Sequence, residues 1–134
     1  MIPPAGASEP TPRVDDGARP AFERVLGRYG GEVDGALVFV VGGLHGNEPA
    51  GIKALQRVVT KLQQRRPAFR GEFIAIAGNL PALREGVRFV DHDLNRGWSV
   101  RRVARTLDRP VSTEDRERAD LVEALVPRLR GADN

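Results

Sequence analysis

Apolar positions recur along this chain in two rhythms, and the switch between them is the first structural signal. Between Arg19 and Gly31, Phe22, Val25, Leu26 and Tyr29 stand at helical spacing and the run closes on Gly30 and Gly31, which predicts a short amphipathic helix with a glycine stop. "GALVFVVGG", Gly35 to Gly43, is instead a continuous β-branched and aromatic run between glycines, the pattern of a strand buried on both faces. Helical spacing returns with Ile52, Leu55, Val58, Val59 and Leu62, a single stripe with Pro49 near the first helical position. A second buried strand follows over Phe73 to Ala77 and enters a turn at Gly78 and Asn79. Strand, helix, strand predicts a right-handed crossover, and so an α/β domain with a parallel or mixed sheet flanked by helices.

Beyond Asn79 the pattern weakens. A helical turn through Leu83, a short extended piece over Val87 to Val90 and then a polar loop are expected. The last clear element is "STEDRERADLVEALVPRLRG", with Ser112 or Thr113 as its cap and Ala119, Leu121, Val122, Leu125 and Leu129 as its buried side. Residues 1–18, rich in Pro, Ala, Gly and Asp without an apolar period, read as a disordered or loosely packed lead-in to a domain over 19–134.

Composition narrows the chemistry more than the fold. A chain of 134 residues supports one core. It has no cysteine, which removes disulfide frameworks and thiolate zinc sites, so a metal would be held by His, Asp, Glu and water. No run reaches the roughly 20 apolar residues of a membrane span and the start lacks a signal-peptide pattern; a cytoplasmic protein without a membrane partner is expected. The formal net charge is +3, but 18 acidic residues are interspersed with 21 basic ones, so no nucleic-acid footprint emerges. The densest basic stretch, "RGWSVRRVARTLDR", reads as a solvated helix face or loop, with small anions as a further option.

Candidate chemistry lies in two segments. "VVGGLHGNEPAG" places His45 three residues before Glu48 in the turn that leaves the first strand. In parallel α/β folds that rim gathers ligands. Imidazole nitrogen and carboxylate oxygen are both zinc ligands, while a tight polar turn ahead of a helix is the competing reading. "VRFVDHDLNRGW" gathers Arg88, Asp91, His92, Asp93, Asn95 and Arg96 within nine positions. Guanidinium groups hold carboxylates bidentately, so Arg88, Asn95 and Arg96 form a candidate acid-recognition set, or else a salt-bridged surface loop. His92 is either a further ligand or a hydrogen-bonded loop histidine.

"GGLHGNEPAG", "GNLPAL" and "RFVDHDLNRGW", in that order and at these distances, resemble the succinylglutamate desuccinylase and aspartoacylase family of zinc carboxypeptidase-like hydrolases. The likeness runs from about Gly35 to Trp98, with a compatible helix to about Gly131. It implies that His45 and Glu48 are Zn2+ ligands and that Arg88 polarises the scissile carbonyl and stabilises the oxyanion. By the same likeness Asn95 and Arg96 hold the substrate's acid group, Asp93 braces the loop and Asn79 has a secondary role near the pocket. The implied reaction is amide hydrolysis of a small acidic N-acyl amino acid. In the family a third ligand, a histidine, and a catalytic glutamate follow beyond the helix over 113–130. The resemblance therefore implies an incomplete, N-terminal portion of the domain, inactive or nearly so alone, with a homo-oligomer or a completing C-terminal segment as partner. The alternative is a noncatalytic anion-binding or protein-interaction module built on the same fold.

Overall fold

The computed structural model describes residues 21–130, so the expected lead-in over 1–18 lies outside the described residues. Three strands, β1 (Val25–Gly30), β2 (Leu37–Gly42) and β3 (Glu72–Ala77), form one sheet in the order β1-β3-β2. β2 and β3 are parallel, in register from Leu37 beside Glu72 to Gly42 beside Ala77, and helix α1 (Ala50–Arg65) makes the crossover between them. β1 pairs antiparallel with β3, so the sheet is mixed. The remaining helices are α2 (Leu80–Glu85), α3 (Val100–Asp108) and α4 (Thr113–Arg130).

The two-residue period of β3 sorts the core into two sides. Ile74 and Ile76 face Leu94 and Leu121, with Leu37, Phe39 and Val41 of β2 packed alongside. Ala75 and Ala77 face the other way, against Leu55, Val59 and Ile52 of α1. The central strand is thus covered on both faces, which is why its sequence is apolar without interruption.

Three expectations are overturned. The segment around Val25 to Gly30 is a strand, not a helix, although Phe22 and Leu26 do join the core. Its run is too short for periodicity to separate the two states, and two glycines in six residues weaken a helix by about 1 kcal/mol each. Gly27 is used in the strand: a Cβ there would come within 2.4 Å of Val59 Cγ1, so its absence lets β1 lie close against α1. Val87 to Val90, expected to be extended, is a bent stretch outside any helix or strand. Finally, of the five residues expected to line the buried side of α4 only Leu121 is buried, and Leu129 is half exposed. The inward stripe of α4 is instead Glu114, Asp115, Glu117, Arg118 and Leu121, at the i, i+3, i+4, i+7 spacing of a helical face. On α1, likewise, Val58 is exposed while Ile52, Leu55 and Val59 carry the contact.

Ser112 does cap α4. Its Oγ accepts the Asp115 amide at 3.1 Å, while Asp115 Oδ2 accepts from the amide of Ser112 at 3.4 Å and that of Val111 at 3.2 Å. This reciprocal box satisfies amides that a helix start leaves unpaired.

Candidate functional site

At the carboxyl end of β2 the chain turns through Gly42 and Gly43 into His45. Gly43 sits at φ 70°, a region that an L side chain rarely occupies. Gly46 follows, where a Cβ would lie 2.0 Å from the Ala82 carbonyl carbon; only glycine lets this turn lie against α2. The Gly46 amide donates to the Arg88 carbonyl at 3.3 Å. The His45 turn and the loop over 88–96 are therefore joined through the backbone.

An open cleft of about 640 Å³ is lined by the end of β2, by His45 and Glu48, by the start of α1 and by Asn95. His45 Nε2 lies 2.8 Å from Asp93 Oδ1, and His45 Nδ1 lies 3.3 Å from Glu48 Oε2. A carboxylate can only accept, so the close Asp93 contact calls for a proton on Nε2, and Nδ1 is the nitrogen turned toward Glu48. A ring nitrogen and a carboxylate oxygen at 3.3 Å can share either a proton or a cation. The separation is also the edge of a tetrahedron whose vertices lie about 2.0–2.1 Å from its centre, the distance of nitrogen and carboxylate ligands from zinc. The donor set therefore fits a divalent metal. It provides two such donors: among the described residues no group of three or more His, Asp or Glu is disposed around one point.

Asp93 is tied on both oxygens. Oδ1 also accepts the Asn95 amide at 2.9 Å, and Oδ2 faces Arg88 Nη2 at 3.6 Å. The His45 hydrogen bond, then the Asn95 amide and the charge of Arg88, outweigh partial burial and hold its carboxyl below the ordinary carboxylate value. Its bracing role thus extends to the imidazole. Arg88 is about half exposed and does not line the cleft, but through Asp93 it stays beside His45. Asn95 borders the cleft, and Arg96 is exposed on the next position.

Two residues do not line the cleft. Asn79 is fully buried behind its wall, where its backbone amide donates to the Gly43 carbonyl at 2.9 Å. Its Oδ1 caps α2 by accepting the Ala82 amide at 3.2 Å, and its Nδ2 donates to Glu114 at 3.0 Å. Both polar ends of the side chain are thus engaged inside the core, beside the turn that forms the cleft's wall. His92 points toward α4, with Nε2 3.7 Å from Asp115 Oδ1, and is not grouped with His45 and Glu48.

Sequence reasoning passed over Glu114 and Arg118. Glu114 accepts the amides of Val90 at 2.6 Å, Asp91 at 2.9 Å and His92 at 3.1 Å, besides Asn79. Burial raises its pKa, but these four hydrogen bonds outweigh burial and keep the carboxyl below its ordinary value. Arg118 is wholly buried. It donates to Asp115 at 3.0 Å and to the Arg96 carbonyl at 2.9 Å, and its guanidinium lies 5.4 Å from the Trp98 ring centroid. The available signal was their helical spacing with Leu121.

Comparison with known proteins places this rim in a family. Residues 34–130, well over half the chain, match the model for the succinylglutamate desuccinylase/aspartoacylase catalytic domain. The succinylglutamate desuccinylase of Photorhabdus laumondii is 37% identical over 87 residues, covering 65% of this chain and 25% of that protein. That of Pseudomonas paraeruginosa is 42% identical over 74 residues, 54% and 22% of the respective lengths. The chain thus spans about a quarter of the length of these relatives. The crystal structure of the succinylglutamate desuccinylase from Chromobacterium violaceum superposes with a TM-score of 0.61 and 29% identity, over 78% of this chain and 32% of that one. Motifs, fold and comparison agree: the chain belongs to the succinylglutamate desuccinylase/aspartoacylase family.

Proposed function

We propose that this chain carries the metal-holding and acid-recognising rim of a zinc-dependent deacylase that hydrolyses the amide bond of a small acidic N-acyl amino acid. The observation that carries the reading is the His45 ring held by Asp93 on one nitrogen and facing Glu48 with the other. His45 Nδ1 and Glu48 Oε2 would hold the ion. The chemistry such an ion supplies is Lewis acidity toward the scissile carbonyl and a water whose pKa falls toward about 7.

The chain's own residues supply the rest. Asp93 keeps the proton on His45 Nε2 and so keeps Nδ1 available as a donor. Arg88, anchored beside Asp93, is the cation that meets the oxyanion as charge develops on the carbonyl oxygen. Asn95 at the cleft and Arg96, exposed on the next position, receive the substrate's carboxylate as donors. A small diacid derivative matches this demand, in line with the names of the relatives. Two protein ligands hold an ion less tightly than the three of a catalytic zinc site, so the chain alone is expected to hydrolyse such substrates slowly or not at all.

The test is zinc titration of the chain and of its His45→Ala and Glu48→Ala variants against a chromophoric chelator, with N-succinylglutamate added in a parallel series. One ion per chain, lost in both variants, with tighter substrate binding when zinc is present, supports the reading. Substrate binding that is indifferent to zinc and to His45→Ala sinks it, and points instead to a noncatalytic anion-binding module.

A further inference from the structure

The loop over 88–96 bears every residue proposed above to meet substrate or to brace His45, yet it contains neither helix nor strand. An irregular loop at a rim is normally mobile, and its backbone amides must still be satisfied. Here three in a row are satisfied by one side chain. Glu114, in the first turn of α4 and entirely buried, takes the three consecutive amides of Val90, Asp91 and His92 on its two oxygens, and Asn79 takes a fourth place on the same carboxylate.

One helical turn further along, Arg118 takes the other end of the loop. Its Nη2 donates to the carbonyl of Arg96, and its guanidinium underlies Trp98, whose own Nε1 donates to the Leu94 carbonyl at 2.6 Å. A full positive charge in the core is unfavourable unless paired and hydrogen-bonded. Asp115, itself bonded to the amides of Val111 and Ser112, provides the pairing at 3.0 Å. The two grips lie at i and i+4 on one face of α4.

We infer that Glu114 and Arg118 are positioning residues: α4 uses this carboxylate and this guanidinium to fix the two ends of the substrate loop, and through Asp93 to fix the orientation of the His45 ring. The inference rests on the metal reading of His45 and Glu48. Neither residue touches the cleft, so each acts only through the loop. A carboxylate is needed at 114 because three converging N–H donors require acceptors on both oxygens. The isosteric Gln keeps the volume but aims an NH2 group at one or more of those amides.

The experiment compares the chain with Glu114→Gln and Arg118→Lys, reading amide hydrogen exchange, emission of the lone Trp98 and zinc affinity. Glu114→Gln is expected to speed exchange at Val90, Asp91 and His92 by roughly tenfold or more relative to Ala75 and Ile76 of β3, and to weaken zinc binding about 10–100-fold. Arg118→Lys, which leaves Glu114 untouched, is expected to shift Trp98 emission to the red and to weaken zinc binding in the same direction. Folded variants with native loop exchange, native emission and native affinity overturn the proposal. If Glu114→Gln does not fold, Arg118→Lys decides alone, with unchanged emission and affinity counting against it. Should the native chain bind no zinc, or bind it equally well as His45→Ala, the metal reading fails, while exchange and emission still decide whether the two residues hold the loop.

Discussion

Replacing Asp93 by Asn tests the arrangement at its most economical point. Asp93 Oδ1 takes His45 Nε2 at 2.8 Å and the Asn95 amide at 2.9 Å, and Oδ2 lies 3.6 Å from Arg88. Asn is the same size but has one acceptor oxygen. If that oxygen stays on His45 and the Asn95 amide, an NH2 group faces the Arg88 guanidinium. If it turns toward Arg88, the imidazole loses its acceptor. In either rotamer the negative charge that favours a proton on Nε2 is gone, and with it the bias that would leave Nδ1 to the proposed metal.

Outer partners of metal-bound histidines contribute about 10–100-fold to affinity, or about 1.4–2.7 kcal/mol. The Arg88 contact adds little to stability, because that guanidinium is 52% exposed and exposed pairs contribute at most about 1 kcal/mol. Asp93→Asn should therefore raise the zinc dissociation constant at least tenfold while moving the thermal midpoint by only a few degrees. Competition with a chromophoric chelator at fixed pH and salt, run beside a thermal melt of the metal-free chain, separates the two. An affinity within twofold of native, in a chain whose binding still depends on His45, would refute the tautomer argument. A large loss of stability without metal would instead make Asp93 a structural brace alone.

Gly46→Ala should destabilise the chain by about 1–3 kcal/mol, since the new Cβ would fall 2.0–2.4 Å from backbone atoms of Ala82 and Leu83; an unchanged denaturation midpoint would show that the turn can shift freely. Asp91, Asp93, Glu114 and Asp115 all have carboxyls held below their ordinary values of 3.8 and 4.5, so the stability they contribute is fully present above those values and is lost as pH falls through the lower folded-state ones. Denaturant midpoints should accordingly be flat from pH 7 to about 5 and fall steeply below about 4; a midpoint that rises on acidification would contradict the assignment.

How much of this was legible in the sequence depended on which force set each element. β2, α1 and β3 are fixed by apolar burial, and burial leaves a period in the sequence. Leu37 to Gly42, the Ile52, Leu55 and Val59 stripe and Phe73 to Ala77 could all be read directly. β1 could not, because its partner is reached only through long-range pairing with β3, while the spacing of Phe22, Val25, Leu26 and Tyr29 suits either state. The inward face of α4 was misassigned for a related reason. Its apolar residues from Val122 onward are only partly covered, whereas the charged turn before Leu121 is the part that the protein buries. A hydropathy rule places charges outside, and partners distant in sequence help to reverse it: Arg24 on Glu117, the loop amides on Glu114. At the site, His45 and Glu48 were visible as a spaced pair in a glycine turn. The service of Asp93 to His45, 48 residues apart, was not.

The same contrast explains why the loop over 88–96 can be irregular and still hold a geometry. Leu94 is fully buried in the cluster with Ile74, Ile76 and Leu121, and it pins the middle of the loop to the sheet. Its neighbours Asp93 and Asn95, on either side of that anchor, are thereby brought to the rim, one against His45 and the other at the cleft. Apolar burial alone would leave the two arms of the loop free to swing about Leu94. The arms are held by charges instead, Glu114 on the amides of residues 90–92 and Arg118 on the carbonyl of residue 96. Hydrogen bonds fix direction where hydrophobic contact fixes only proximity. A rim that aims the His45 imidazole and carries Asn95 at the cleft is thus built on the polar turn of α4, while the apolar parts of the fold carry the burial that keeps that turn in place.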